Sequence, residues 1–204
     1  GRGGCARRNR AVCVAGAGAL AGAFPRRPKV ACFDTSFHRT MPEVAQTYAL
    51  PKDGRDAGGR HWGYHGISYE YISRQVPKFV APARRVIVAH LGGGASLCAM
   101  QGGRSVETTM GFSSLSGLPM ATRSGDVPPG ALFYLLRSQP FDEASLEKMR
   151  YEPPGLLGLP GISGHVRVLR ESRVPRRPGS ASRPAAAARR WRRMRQAAAS
   201  HCAR

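Results

Sequence analysis

Several things are missing from this chain of 204 residues. No apolar run approaches the roughly 18 residues needed to cross a bilayer, so no membrane-spanning helix and no membrane partner are expected. No G-x-x-x-x-G-K-[ST] stretch occurs, which excludes a P-loop nucleotide site. The five cysteines, Cys5, Cys13, Cys32, Cys98 and Cys202, are odd in number and none is spaced as CxxC, so neither a disulfide framework nor a zinc site is indicated. Cys32 and Cys98 fall in apolar runs that read as strands, where a free thiol behaves as a small hydrophobe, and a reducing cytoplasm is the setting this implies. Acidic residues are scarce, 12 Asp and Glu against 32 Lys and Arg, for a formal charge of +20.

That charge has the size expected of a nucleic-acid binder but not the distribution. Residues 1–23 hold four Arg and no acid, and residues 164–204 hold 12 Arg, one Glu and no Lys. Between them, residues 24–163 carry an ordinary globular mixture, and 42% apolar content suffices for one substantial domain. Three segments follow. Residues 1–23 read as an unrelated or weakly structured N-terminal stretch, residues 24–163 as the folded core, and residues 164–204 as an Arg/Ala/Pro-rich tail, disordered or translated out of frame. A first residue of Gly rather than Met reads as part of a longer coding region. A basic RNA- or DNA-binding protein would use the Arg/aromatic interleaving around Trp191; polycationic character alone explains that segment, and no specific nucleic acid is expected.

Gly16-Ala17-Gly18-Ala19-Leu20-Ala21 fits the G-x-G-x-x-A form of the dinucleotide fingerprint. Geometry argues against it, because Pro25 and Pro28 leave no room for the crossover helix of a βαβ unit. Residues 29–34 read as a buried strand ending at Asp34 and Thr35. A short helix starts at Met41-Pro42-Glu43, residues 52–60 form a polar loop, and residues 67–80 form an amphipathic helix interrupted at Pro77. Residues 86–100 read as strand, triple-glycine loop and strand, closed by Gln101-Gly102-Gly103-Arg104. Without Cβ atoms, Gly92, Gly93 and Gly94 can take φ > 0 and bring backbone N–H groups against a phosphate, with His90 and Ser96 as further donors at the rims. Residues 107–120 read as a Gly/Ser/Thr-rich connection, residues 131–136 as a buried helix, and residues 141–146 as the start of another. Alternation of strands and helices indicates an α/β layered domain.

Five motifs stand in one order: Phe33-Asp34-Thr35-Ser36-Phe37-His38, Gly63-Tyr64-His65-Gly66-Ile67-Ser68, the loop from His90 to Ser96, Met110-Gly111-Phe112 and Thr122-Arg123-Ser124-Gly125-Asp126. Gly155-Leu156-Leu157-Gly158-Leu159 and Gly161-Ile162-Ser163 continue the series. In this order and spacing the chain resembles the acetate kinases. The resemblance implies a fragment of an actin-like, sugar-kinase-like (ribonuclease H-like) α/β fold, with a mixed sheet flanked by helices. It further implies ATP and Mg²⁺ as cofactors, acetate or a similar short-chain carboxylate as substrate, a cytoplasmic location and a homodimer. Residue by residue, it implies that Asp34 is the metal-associated carboxylate, that His65 touches the transferring phosphoryl group and that Arg123 is the active-site guanidinium. His90, Leu91, Gly92, Gly93, Gly94, Ala95 and Ser96 would be the phosphate-binding loop, with Tyr64 and Ser114 in the substrate pocket.

The residue types suit that chemistry, since phosphoryl transfer needs charge neutralisation and in-line positioning more than covalent help. Departures from the family pattern are Gly93 for an Asn, Ile67 for a Thr, Tyr69 for a second His, Ser114 for a Pro, and Pro128 where an acid is common. The family's opening Asn-x-Gly-Ser-Ser-Ser-x-Lys segment, a further Arg and His, and the adenosine-binding glycines with a late Glu are not visible. The expectation is therefore a truncated, weakly active or inactive form, with a catalytically dead structural relative as the alternative. A His61/His65 metal pair is not expected, because Trp62, Gly63 and Gly66 disfavour the helix it would need.

Overall fold

The computed structural model describes residues 7–79, 85–138, 140–152 and 155–157. The motifs at Gly158-Leu159 and Gly161-Ile162-Ser163, the tail with Trp191, and Cys5 and Cys202 lie outside the described residues.

The centre is the hairpin read from the glycine loop. Strands β1 (Arg85–Leu91) and β2 (Ala95–Gln101) pair antiparallel, with His90 opposite Ser96 and Leu91 opposite Ala95. A third strand, β3 (Arg104–Thr108), pairs antiparallel with β2 after the Gly102-Gly103 turn, with an irregularity at Ala99/Met100. Both turn glycines have positive φ, which L side chains rarely adopt. The three described strands form an antiparallel meander in the order β1-β2-β3, and no parallel pair occurs among the described residues.

Lying between its two partners, β2 is buried from Ala95 through Met100. Alternation sends its side chains to two different layers. Ala95 and Leu97 pack with Met110, Leu118 and Met120, against which Tyr64 also rests. Cys98 and Met100 pack on Tyr69 of helix α4 (Gly66–Gln75), with Phe37 and Val88 at the margin. One face of the hairpin is therefore covered by the loop of residues 110–120 and the other by α4 together with a 3₁₀ segment, Asp34–Thr40. Helix α4 continues as a 3₁₀ turn at Val76–Lys78, where Pro77 removes a backbone donor.

Other expectations are corrected. Residues 7–23 form a helix, α1 (Arg7–Ala23), whose side chains from residue 13 onward are exposed; it passes straight through Gly16 to Ala21, leaving no strand-to-helix turn for a dinucleotide. Residues 29–33 form no regular secondary structure and pair with no described strand, with Val30 85% exposed and Cys32 exposed, so this is not a buried strand. Apolar content alone could not reveal that no described strand lies beside it. The loop of residues 52–60 contains a short helix, α3 (Lys52–Asp56), following α2 (Glu43–Gln46). β3 occupies the beginning of what reads as a connection. Helix α5 (Pro129–Leu136) contains no fully buried residue, and Phe133 and Tyr134 face outward; it packs on α6 (Glu143–Tyr151). The α6 start is a capping box between Asp142 and Ser145.

Candidate active site

The site assembles at the entrance to α4, where the backbone turns sharply. His65 has φ 61° and ψ 22°, the left-handed region, and is the sole non-glycine residue with positive φ among the described residues. Asp34, 31 residues earlier, holds this turn. Its Oδ2 accepts the His65 N–H at 2.5 Å and its Oδ1 accepts the Ile67 N–H at 3.2 Å. A carboxylate at a helix N-terminus satisfies donors that the helix itself cannot, and it complements the helix dipole. Gly66 is required by close approach, since a Cβ there would lie 1.9 Å from the Asp34 carbonyl oxygen.

A second support comes from His38, which sequence reasoning quoted within a motif but gave no role. Its ring is buried. Nε2 lies 2.9 Å from the Tyr64 carbonyl and Nδ1 lies 2.8 Å from the Ser105 hydroxyl. A carbonyl can only accept, so Nε2 carries the proton and Nδ1 accepts from Ser105. Burial lowers the His38 pKa and keeps the ring neutral, despite the hydrogen bond to Tyr64 and the charge of Asp34.

Held in this way, the His65 ring reaches over the glycine loop. Nδ1 lies 2.8 Å from the Ser96 hydroxyl, and the ring stacks on His90 at 4.0 Å with an 18° interplanar angle. Nε2 faces Gly94, where a Cβ would lie 2.9 Å from it and 3.4 Å from Arg123 Nη1. The imidazole and the guanidinium therefore converge on one side of Gly94, into space that only glycine leaves open. Desolvation and the adjacent His90 push His65 down to about 4, Asp34 pulls the other way, and Arg123 lowers it further. His65 is thus a neutral hydrogen-bond donor or acceptor at pH 7 rather than a cation.

Arg123 is placed by its own loop. Nη1 donates to the Ser114 carbonyl at 3.2 Å and contacts Met120 Sδ at 3.4 Å. The Ala121 N–H donates to the Gly93 carbonyl at 3.3 Å, tying the arginine loop to the glycine loop. Leu156 and Leu157 donate to the Met120 and Ala121 carbonyls, and Gly155 fits where a Cβ would strike the Met120 carbonyl oxygen. The Tyr64 hydroxyl donates to the Phe112 carbonyl at 3.2 Å, two residues before Ser114, whose carbonyl accepts from Arg123.

Two details of the phosphate-loop expectation change. None of Gly92, Gly93 and Gly94 has positive φ, so these glycines provide room rather than left-handed backbone, and Gly92 N–H is already taken by the Gly94 carbonyl at 2.9 Å. Ser96 does not stand at the rim. Strand alternation turns it inward, where it is fully buried and bonded to Tyr69 and His65, so it acts through the histidine. His90 Nδ1 pairs with the Ser68 hydroxyl at 3.0 Å. Leu91 is exposed and Ala95 is a core residue.

Asp34 is the carboxylate nearest His65. It fits a magnesium ion held mainly by phosphate oxygens and water, because each carboxylate oxygen keeps a lone pair beyond its one backbone bond. No group of three or more potential metal ligands exists among the described residues, so an all-protein metal cage does not fit. His61 is engaged elsewhere, stacking on Tyr48 with Nε2 3.1 Å from the Met110 carbonyl. A shallow concavity lined by Glu43, Val44, Thr47, Tyr48 and Arg55 lies away from these groups.

The family model described as the acetokinase family matches residues 8–203, taking in most of both basic ends. The acetate kinase of Nitrobacter hamburgensis is 49% identical over 156 residues, covering 75% of this chain and 38% of that protein. The acetate kinase of Rhodopseudomonas palustris strain CGA009 is 47% identical over 77% of this chain and 40% of its own length. Among solved structures, a Porphyromonas gingivalis acetate kinase superposes with TM-score 0.78 at 30% identity, covering 93% of this chain and 49% of its own. A Francisella tularensis propionate kinase gives TM-score 0.72 at 37% identity over 78% and 41% of the two chains. The chain spans about two fifths of the length of the curated relatives it matches. With the family model and these relatives matching most of its length, the chain belongs to the acetokinase family.

Proposed function

We propose that residues 24–163 carry part of the phosphoryl-transfer centre of an ATP-dependent kinase acting on acetate or another short-chain carboxylate. The observation that carries this reading is the meeting of His65 Nε2 and Arg123 Nη1 beside Gly94. A planar guanidinium matches the equatorial oxygens of a transferring phosphoryl group, and a neutral imidazole N–H adds a directed donor without a second charge. A carboxylate oxygen attacks the γ-phosphorus of ATP, the bond to the bridging oxygen breaks, and acyl phosphate and ADP result. Arg123 neutralises charge on the group in flight, and Arg123 and His65 together orient it. Tyr64 and Ser114 border the side from which the carboxylate approaches. Mg²⁺, when bound, shields phosphate charge, and Asp34 is the residue that would hold it.

Turnover by the 204 residues alone is proposed to be slow, because the further Arg and His of the family pattern are not visible in this sequence. A cytoplasmic location and a homodimer belong to the same reading. The test is hydroxamate trapping of acyl phosphate with ATP, Mg²⁺ and acetate. Slow acetate-dependent product that falls about 100-fold or more in Arg123→Ala supports the reading, on the scale of losing one donor to developing charge. Absence of acetate-dependent product, or product indifferent to Arg123→Ala, overturns it.

A further inference from the structure

Beneath His65 lies a buried polar chain that the phosphoryl-transfer reading does not use. The Tyr69 hydroxyl meets the Ser96 hydroxyl, and Ser96 Oγ lies 2.8 Å from His65 Nδ1. Tyr69 and Ser96 are both fully buried, so each of their protons needs an acceptor within the protein. Among the described residues, the acceptor in range of the phenol proton is Ser96 Oγ, and the serine proton is then left to point at His65 Nδ1. The reverse order, with Nδ1–H donating to Ser96 and Ser96 to Tyr69, would leave a buried phenol proton with no acceptor. Burial holds the phenol protonated, since it raises the Tyr69 pKa.

We propose that Tyr69 is a positioning residue that acts through Ser96 to hold neutral His65 as the Nε2–H tautomer, so that the nitrogen facing Gly94 and Arg123 is a donor. An imidazole free to choose would present a lone pair to that space part of the time, and a lone pair repels a phosphoryl oxygen. Sequence position gives the same hint, because Tyr69 lies one helical turn after His65 and its amide bonds the His65 carbonyl at 3.0 Å. The benefit for catalysis rests on the carboxylate-kinase reading, whereas the tautomer is a property of the free protein.

The experiment is therefore done without ligand. Full-length chain labelled with ¹⁵N-histidine is examined at pH 7.5 by long-range ¹H–¹⁵N spectra, with His65 assigned by His65→Gln. The wild type is expected to show a protonated Nε2 and an unprotonated Nδ1. Tyr69→Phe, which removes the phenol oxygen alone, is expected to raise the Nδ1–H fraction about fivefold, the effect of losing one ordinary hydrogen bond. Tyr71→Phe on the exposed side of α4 serves as the control and leaves the tautomer unchanged. Ser96→Ala cuts the same chain at its middle and is read in the same way if Tyr69→Phe does not fold. A wild-type Nδ1–H form, an even mixture, or a tautomer indifferent to the folded variant overturns the proposal. An Nε2–H tautomer that depends on Tyr69 in a protein showing no phosphotransfer upholds it while removing the kinase reading.

Discussion

Replacing Asp34 tests the link between fold and chemistry, because the carboxylate that the family resemblance assigns to a metal also holds the start of a helix. In Asp34→Ala the amides of His65 and Ile67 lose their acceptors, at 2.5 and 3.2 Å, and the α4 N-terminus loses its negative charge. Loss of a side-chain cap costs about 1 kcal/mol. Loss of the charge next to the helix dipole adds roughly 0.3–1 kcal/mol. The left-handed conformation of His65 costs about 1–2 kcal/mol, and Asp34 is the group that holds it in place. Destabilisation of about 1–3 kcal/mol is therefore expected on the scale of a lost cap with its charge. Asp34→Asn keeps one acceptor but turns an NH₂ toward the second amide, and it falls between Ala and wild type. Urea unfolding without Mg²⁺ or nucleotide measures all three proteins, and hydrogen exchange at the His65 and Ile67 amides reports the turn itself. If Asp34→Ala unfolds at the wild-type urea concentration and those two amides exchange at wild-type rates, the capping role is refuted and any loss of activity belongs to metal binding alone.

Two glycine substitutions separate folding from function. Gly66→Ala drives a methyl to 1.9 Å from the Asp34 backbone and is expected to prevent the native turn, seen as loss of soluble folded protein; Gly94→Ala meets a side chain, the His65 ring at 2.9 Å, and is expected to lower the unfolding midpoint less than Gly66→Ala while weakening phosphate binding. Stability also depends on pH. The folded pKa of His65 is depressed to about 4, so the unfolded chain takes up a proton that the fold resists; stability is complete above about 6.5 and is lost as pH falls through about 4. Buried His38 contributes in the same direction, so urea midpoints between pH 7.5 and 4 are expected to fall less steeply in His65→Gln than in wild type, without becoming flat.

Much of the site was legible because its groups sit in short motifs whose residue types are set by tight backbone approach. Gly66, Gly94 and Gly155 each leave space that a Cβ would fill against Asp34, His65 and Met120 respectively, so the motifs carry the geometry locally. The hairpin of β1 and β2 and the helix after His65 were readable from periodicity. What stayed hidden depends on long-range pairing. The run Val30, Ala31, Cys32, Phe33 has the composition of a central strand, but no described strand pairs with it, and Val30 and Phe33 face outward. β3 was missed because Arg104-Ser105-Val106-Glu107-Thr108 alternates polar and apolar residues too weakly to separate from a loop, and its burial comes from β2 and from His38 above Ser105. Ser96 read as a rim donor because the sequence does not say which strand face α4 covers; the alternation that sends Leu97 to one layer sends Ser96 beneath His65.

The central claim is that the His65 imidazole, the Arg123 guanidinium and the glycine loop grip one phosphoryl group. Titration of ¹⁵N-labelled chain with ADP, Mg²⁺ and inorganic phosphate tests it directly, by following His65 Nε2 together with the Gly93 and Gly94 amides. Saturable shifts of all three signals, lost together in Arg123→Ala, are the predicted result. Shifts confined to exposed arginines with these three signals unmoved, or shifts that survive Arg123→Ala, would contradict it.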